Sequence, residues 1–356
     1  MSNENNNLSL YGWSDNLFRQ KQISQFKDMS HGRIIVTHKT CYEVVAEDGV
    51  YLCELTGNMI YGRMPDEYPC TGDWVIFQPF DANKGIIVDT LPRERALYRK
   101  KNGTVADRQA IASYVDKAFI VQSLDDNFNV RRAERFIAQI MEENIKPVLV
   151  LNKADLGCDR QNIDEAIKHI ARQFPVFITS ICQPQTILRL RESITKGETV
   201  VFVGSSGVGK SSLVNNALCG KSVLNTSDIS LSTGKGRHTS TRREMVLMDG
   251  SGVLIDTPGV REFGLAIDNP DSLTEMFEIS DYAESCRFSD CKHIDEPGCA
   301  VLEAVHNGTL DHKVYESYLK IRREAWHFSA SEHEKRKKEK SFTKLVEEVK
   351  KRKANF

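Results

Sequence analysis

The chain has 356 residues, which is too long for one ordinary domain and predicts two or three domains, each with its own core. Hydrophobic residues make up 40% of the chain and charged residues 27%, and no apolar run is long enough to cross a bilayer, so we expect no membrane span. The net charge of −1 argues against a uniformly basic nucleic-acid-binding protein, although residues 335–353 are strongly basic.

Residues 1–30 are expected to form a flexible N-terminal segment. Their opening, MSNENNNLSL, lacks the basic start and apolar core of a signal peptide, which predicts a cytoplasmic protein with reduced thiols. The nine cysteines are odd in number and six of them are scattered singly, which argues against a disulfide framework.

Residues 31–100 are predicted to form a small antiparallel β-barrel. Short alternating stretches (GRIIV, YEVV, GVYLCEL, DWVIF and GIIV) follow one another between Gly, Asp and Pro turns. This rhythm indicates five strands in a compact barrel.

Residues 101–270 are predicted to form an α/β domain with a parallel sheet. Apolar runs (KAFIVQS, PVLVLN, PVFITS, TVVFVG and GVLID) alternate with stretches of helical periodicity. Residues 271–356 follow with a Cys/His cluster and a long, highly charged, helical sequence.

A phosphate-binding loop is predicted after the run TVVFV. The sequence from Gly204 to Ser211 fits G-x-x-x-x-G-K-[ST] between a strand and a helix, which is the context that this motif requires. Lys210 is expected to reach the β- and γ-phosphates and Ser211 to bind Mg²⁺. The predicted nucleotide contacts are Gly204, Ser205, Ser206, Gly207, Val208, Gly209, Lys210, Ser211 and Ser212.

A guanine-reading motif is predicted directly after the run PVLVL. Asn152, Lys153 and Asp155 form NKxD where a strand of a parallel sheet ends, and side chains at that edge face the ligand crevice. The Asp155 carboxylate can accept two hydrogen bonds from the N1–H and the amine of guanine, which adenine does not offer. Such a site discriminates by roughly 10⁴-fold.

Two further elements fit a GTPase. Asp256 and Gly259 form DxxG after the strand GVLID, where the carboxylate would hold Mg²⁺ and the glycine N–H would sense the γ-phosphate. The stretch GKGRHTSTRR suits a loop that orders around the γ-phosphate. Either Thr239 or Thr241 would supply a second Mg²⁺ ligand, with Thr239 slightly favoured.

The residue that orients the attacking water is not the usual glutamine. The position after DxxG is Val260, whose side chain forms no hydrogen bonds. His238 in the Gly/Ser/Thr stretch is the predicted catalytic residue, because an imidazole can orient water or accept a proton near neutral pH. The alternative is that His238 only contacts phosphate or RNA.

The order of the motifs indicates a circular permutation. NKxD at Asn152 precedes the phosphate loop at Gly204, whereas ordinary GTPases have the reverse order. The segment after Asp256 then leads out of the GTPase core toward the C-terminal module.

A closed metal site is predicted in that module. Its spacing, C-x4-C-x-H-x5-C, provides three thiolates and an imidazole, which is a ligand set for tetrahedral structural zinc. A module this short has little core of its own, so the metal would stabilise its fold. The four ligands are Cys286, Cys291, His293 and Cys299.

Taken in order, NKAD, GSSGVGKSS, GRHTST, DTPGVREFG and the Cys/His cluster resemble the ribosome small subunit-dependent GTPase A family over residues 30–330. The resemblance implies an OB-fold barrel, a permuted GTPase domain and a zinc-binding domain, with Zn²⁺ and Mg²⁺ as cofactors. It also implies binding of GTP and of the small ribosomal subunit with its rRNA, and hydrolysis assisted by His238 late in subunit assembly. Ser240 departs from the family, which commonly has a second Thr there.

RNA contact is expected from basic residues beside the barrel and from residues 335–353, because cations there release counterions from phosphates. A solvated helix face is the alternative explanation for residues 335–353. Two alternatives stay open: a nucleotide-dependent RNA clamp, and a GTPase with a non-ribosomal partner. No segment predicts a dimer interface, so a monomer is expected. The basic residues beside the barrel are Arg93, Arg95, Arg99, Lys100 and Lys101.

Overall fold

The computed structural model divides into two compact units, residues 1–264 and residues 265–356. Within the ranges described below, no helix has both the length and the apolar character needed to span a membrane. The structure describes residues 8–61, 64, 66–100, 108–125, 128–156, 160–214, 243–248, 252–256 and 271–329.

The first part of the N-terminal unit is a five-stranded barrel. The strands pair in the order β1-β2-β3-β5-β4, and antiparallel pairing of β1 with β4 closes the barrel. Its interior packs Val44, Val75, Phe77 and Ile87, and the intervening residues of β4, Trp74 and Ile76, are buried in a second cluster. The predicted barrel is therefore confirmed. The elements are β1 (Ser30–Thr37), β2 (Tyr42–Ala46), β3 (Gly49–Leu55), β4 (Trp74–Asp81) and β5 (Lys84–Thr90), with helix α2 (Gly57–Tyr61) after β3.

The segment before the barrel is ordered from Leu8 onward, so the prediction of a flexible segment over residues 1–30 was wrong for that part. A 3-10 turn (Leu8–Tyr11) precedes helix α1 (Asp15–Ile23), and the Ser14 side chain caps this helix. Leu8 and Leu17 are buried against Trp74 of β4. Sequence reasoning missed this packing because Trp74 is distant in the chain. Residues 1–7 lie outside the described residues.

The second part of the N-terminal unit is an α/β sheet with the order β10-β9-β8-β11-β13-β12, parallel except for β12. The apolar runs of the sequence supply the five parallel strands, as predicted. The strands are β8 (Lys117–Ser123), β9 (Lys146–Asn152), β10 (Val176–Ile178), β11 (Thr199–Val203), β12 (Arg243–Leu247) and β13 (Val253–Asp256). The helices are α3 (Val130–Glu142), α4 (Arg160–Ala166), α5 (Lys168–Gln173), α6 (Pro184–Glu192) and α7 (Lys210–Ser212).

The barrel and the α/β sheet are joined in two ways. Antiparallel pairing of β1 with β12 makes one sheet of 11 strands among the described residues. A separate hairpin of β6 (Ala96–Lys100) and β7 (Arg108–Ser113) connects them along the chain. The predicted domain boundary at residues 100/101 lies between these two paired strands.

The guanidinium of Arg33 holds several of these parts together. Arg33 lies on β1, is 1% exposed, and donates from Nε to the Gly72 carbonyl at 2.9 Å and from Nη1 to Thr199 Oγ1 at 2.8 Å. Burial lowers its pKa to about 10, so the group stays charged at neutral pH. The other acceptors are the carbonyls of Tyr11, Ser113 and Tyr114.

We expect Arg33→Met to lower the free energy of unfolding by about 3 kcal/mol, because buried carbonyls lose their donor. Urea denaturation followed by circular dichroism measures this change. Arg19→Met, on the exposed face of α1, is the control and should leave stability within about 0.5 kcal/mol of wild type. Equal effects of the two substitutions would contradict a supporting role for Arg33.

The C-terminal unit is helical over its described part. Leu273, Phe277, Ile279 and Val301 are fully buried, and the rings of Phe277 and Tyr318 meet edge to face at 6.1 Å. Residues 330–356, which include the basic stretch at 335–353, lie outside the described residues. The helices are α8 (Asp271–Met276), α9 (Ser280–Ala283), α10 (Ala300–His306) and α11 (His312–Ser329).

Candidate active site and metal centre

The predicted phosphate loop connects β11 to α7. Gly204, Gly207 and Gly209 have φ values of 143°, 82° and 93°, which side chains rarely tolerate. At Gly204 a Cβ atom would lie 2.3 Å from the Val121 carbonyl oxygen, so only glycine fits beside β8. The loop therefore takes the conformation in which backbone N–H groups can converge on an anion.

The lysine of the motif lies against this loop. Lys210 Nζ donates to the carbonyl oxygens of Gly204 and Ser205, each at 2.6 Å. Val208 is buried in the core below the loop, whereas Ser206 and Ser211 are exposed. Ser211 and Ser212 form the first turn of α7 with Lys210.

Asn152 brings the NKxD motif into direct contact with the phosphate loop. It ends β9, is 2% exposed, and its Nδ2 donates to the Val208 carbonyl at 2.9 Å. A Cβ on Gly209 would lie 2.3 Å from the same nitrogen, so the second glycine of the motif also has a steric role. Thr179 Oγ1 in turn donates to Asn152 Oδ1 at 3.1 Å. Two motifs that are far apart in sequence thus form one site.

The other two NKxD side chains also have partners. Asp155, in a 3-10 turn (Ala154–Leu156), accepts a hydrogen bond from Ser180 Oγ, which lowers the pKa of the Asp155 carboxyl. The carboxylate is therefore ionised at neutral pH. Lys153 Nζ lies 3.0 Å from Asp125 Oδ2.

Sequence reasoning missed Asp125, Thr179 and Ser180. The signal available was weak: Thr179 and Ser180 are a polar pair directly after the apolar strand β10, and Asp125 comes two residues after the end of β8. Side chains at the carboxyl ends of parallel strands face a common crevice. A polar residue at such a strand end is therefore a candidate site residue even where it belongs to no named motif.

Of the predicted magnesium and catalytic set, the structure describes Ser211, in the first turn of α7, and Asp256. Asp256 ends β13, which pairs with β11, and it is exposed at the strand end. His238, Thr239, Thr241, Gly259 and Val260 lie outside the described residues. Their predicted roles remain predictions.

The four predicted metal ligands converge in the C-terminal unit. Their ligand atoms all lie within 4.8 Å of one another. His293 Nδ1 is 3.5 Å from the Sγ atoms of both Cys286 and Cys299, and Cys291 completes the group. Burial lowers the pKa of His293, which favours the neutral imidazole that binds metals. Three thiols and one imidazole in such a cluster fit a closed structural metal site.

The loop around this cluster is held by its own hydrogen bonds. The Glu296 carboxylate accepts from the backbone N–H groups of Ile294, Lys292 and Asp295 at 2.9 to 3.2 Å, and these bonds lower its pKa to about 2. The Tyr315 hydroxyl on α11 donates to the His293 carbonyl at 2.7 Å. The metal loop and the long helix are thus tied together.

Two of the basic residues predicted to contact RNA are engaged inside the protein. Arg93 Nη2 lies 2.6 Å from Asp73 Oδ2, with side chains 14% and 0% exposed, and Arg95 pairs with Asp116 at 3.0 Å. Arg93 therefore supports the fold, and the RNA prediction was wrong for it. Arg95 is partly exposed but already paired, so it is a poor RNA contact as well. No side-chain position is described for Arg99, Lys100 or Lys101.

Comparisons with known proteins agree with this arrangement. The profile of the family described as RsgA GTPase matches residues 90–266. The chain is 97% identical to small ribosomal subunit biogenesis GTPase RsgA 1 of Bacteroides thetaiotaomicron over the whole of both chains. It is 34% identical to small ribosomal subunit biogenesis GTPase RsgA of Leptospira interrogans, with 98% of each chain covered.

Two solved structures share the fold. YjeQ from Thermotoga maritima has a TM-score of 0.64 and 26% identity, with 83% of this chain and 98% of that chain covered. YloQ, described as a circularly permuted GTPase, has a TM-score of 0.64 and 26% identity, with 85% of this chain and 97% of that chain covered. The predicted permuted fold is thereby confirmed. The motifs, the fold and the full-length similarity together show that this chain belongs to the RsgA GTPase family.

Proposed function

We propose that this protein binds GTP, associates with the small ribosomal subunit, and couples GTP hydrolysis to late maturation of the subunit and to its own release. The observation that carries the nucleotide part is the hydrogen bond from Asn152 to the Val208 carbonyl, because it joins the base-reading and phosphate-binding motifs in one site. The names of the similar proteins support the ribosomal part.

The roles of the nucleotide contacts follow from their chemistry. Asp155 accepts hydrogen bonds from guanine, and the backbone from Gly204 to Ser212 cradles the phosphates. Lys210 offsets the charge on the β- and γ-phosphates. Ser211, Asp256 and Thr239 are the groups that would hold Mg²⁺, which supplies electrostatic stabilisation of the transferring phosphate. Gly259 would contact the γ-phosphate through its N–H.

Hydrolysis requires attack of water on the γ-phosphorus, with cleavage of the bond to the bridging oxygen of GDP. Val260 has no hydrogen-bonding side chain, and His238 lies in the Gly/Ser/Thr stretch that fits a γ-phosphate loop. His238 is therefore assigned to orient the water and take up its proton.

The Cys286, Cys291, His293 and Cys299 cluster is assigned to one structural Zn²⁺, since its four protein ligands leave no position for a substrate. The proposed domains are the barrel over 31–100, the GTPase domain over 101–270 and the zinc-binding domain over 271–356. The barrel and the zinc-binding domain would contact rRNA. The protein is proposed to act as a monomer in the cytoplasm.

The test is GTP turnover by the purified protein with and without purified small subunits. We expect stimulation of about 100-fold or more, the lower end of the range that a positioned general base provides, and loss of most of it in His238→Ala. Undiminished stimulated turnover in His238→Ala would remove its catalytic role. No stimulation, together with sedimentation of the GTP-bound protein away from small subunits, would favour a non-ribosomal partner.

A further inference from the structure

An ion pair beside the NKxD motif has no role in the function described so far. Lys153 Nζ lies 3.0 Å from Asp125 Oδ2, and Asp125 Oδ1 accepts a hydrogen bond from Ser123 Oγ at 2.7 Å. The side chains of Lys153 and Asp125 are 32% and 23% exposed, so the pair is only partly screened by solvent. The side chains of Ser123, Asp125 and Lys153 thus contact one another in series at the carboxyl ends of β8 and β9.

The sheet itself builds this contact. Ser123 and Asn152 are paired residues at the carboxyl ends of the adjacent parallel strands β8 and β9. The Leu124 N–H donates to the Asn152 carbonyl at 2.8 Å, which extends the pairing one residue further. Asp125 and Lys153 therefore leave neighbouring strands at the same level and meet directly above them.

The backbone of Lys153 requires support. Its φ is 61°, in the left-handed region that non-glycine residues rarely adopt. Its carbonyl accepts the Leu156 N–H at 3.1 Å, so Lys153 begins the turn that carries Asp155. Ser180 holds this turn through Asp155, and Asp125 holds it through Lys153.

We propose that Asp125 is a positioning residue for the guanine-base site: it fixes Lys153 and with it the turn that presents Asp155. The inference rests on the proposed guanine specificity. This role requires a carboxylate at position 125, because a charged acceptor binds the Lys153 ammonium more strongly than a neutral acceptor does. Asp125 touches no reacting atom, so its loss weakens base binding and leaves the chemical step intact.

The experiment is calorimetric titration with GDP of full-length wild type, Asp125→Ala and Asp125→Asn. We expect the Kd to rise about 5-fold in Asp125→Ala and about 2-fold in Asp125→Asn, which is the scale of a partly exposed ion pair. The KM for GTP should rise in parallel while kcat is unchanged. Glu165→Ala, which breaks the surface pair with Lys168 (3.5 Å), is the matched control and should bind GDP as wild type does.

A double-mutant cycle separates positioning from general destabilisation. In a Lys153→Ala background, Asp125→Ala should change the Kd less than about 1.5-fold, since its partner is already absent. An undiminished effect in that background, or an unchanged Kd in Asp125→Ala alone, would overturn the inference. If Asp125→Ala fails to fold, the same cycle is measured with Asp125→Asn, and an undiminished effect of that substitution in the Lys153→Ala background would overturn the inference.

Titration of wild type with ADP distinguishes a failure of this inference from a failure of the proposed guanine site. Wild type that binds ADP as tightly as GDP would overturn the guanine site itself. Wild type that prefers GDP, with an Asp125→Ala variant that binds GDP equally well, would overturn only the role of Asp125.

Discussion

Asp155→Asn is expected to weaken GDP binding by about 10³-fold or more and to make xanthosine diphosphate the preferred ligand, because the substitution replaces an acceptor by a donor. Guanine presents N1–H and a 2-amino group, which are both donors and match two carboxylate oxygens. Xanthine has an oxygen at position 2, which matches the amide nitrogen of the introduced side chain, while its N1–H matches the amide oxygen. The hydrogen bond from Ser180 can persist, since an amide also offers an acceptor.

Competition titrations with guanosine, xanthosine and adenosine diphosphates measure this reversal. Asp28→Asn, an exposed position before the barrel, removes the same charge elsewhere and should leave all three affinities unchanged. A loss of GDP affinity without a gain for the xanthine nucleotide would mean that the introduced amide is misplaced. Retention of GDP affinity would show that Asp155 does not read the base.

The elements that could be predicted from sequence are those specified by local pattern. The phosphate loop, NKxD and the Cys/His cluster each occupy a short stretch, and alternation or apolar runs identify the barrel strands and the parallel strands. Gly204 and Gly209 illustrate why: their residue type is fixed by close approach to Val121 and Asn152, so the motif carries its own geometry. The order of the motifs then determines the permutation.

What sequence reasoning missed depends on contacts between distant segments. Arg93 looks like a free cation in the sequence, but a buried Asp73 lies 20 positions away and pairs with it. Leu8 follows a polar stretch in the sequence, but in the fold it is buried in one cluster with Trp74. The same holds for Arg33, whose acceptors come from the N-terminal turn, the barrel and β11. A buried cation of this kind leaves no pattern in the local sequence.

The pairing of β1 with β12 places the barrel close to Asp256, the predicted magnesium ligand on β13. Glu244 on β12 is paired with Asp256 on one side and with Val36 of the barrel on the other. Thr71 Oγ1 reinforces this junction by donating to the Arg243 carbonyl at 3.2 Å. One strand therefore separates the barrel from the predicted magnesium ligand.

Removal of the metal is expected to unfold the C-terminal unit and to leave GDP binding intact. A structural zinc ion contributes about 10–16 kcal/mol of apparent binding free energy in small modules, which exceeds what their cores supply. Metal loss frees the loop around His293, and since Tyr315 on α11 holds the His293 carbonyl, the helix loses its anchor as well. Asn152, Asp155 and the phosphate loop all belong to the other unit, so their ligand affinity should not change.

Cys299→Ser tests the dependence of the C-terminal unit on its metal without a chelator. We expect bound zinc, measured by mass spectrometry of the native protein, to fall from one equivalent to below about 0.1, since a serine hydroxyl is a poor replacement for a thiolate. Helical circular dichroism and protease resistance of residues 271–329 should fall with it. Cys41→Ser, in the N-terminal unit, controls for the loss of one thiol and should keep the full equivalent. Full zinc content in Cys299→Ser would show that the cluster does not close around a metal, whereas zinc loss without loss of helix would show that the helices fold without it.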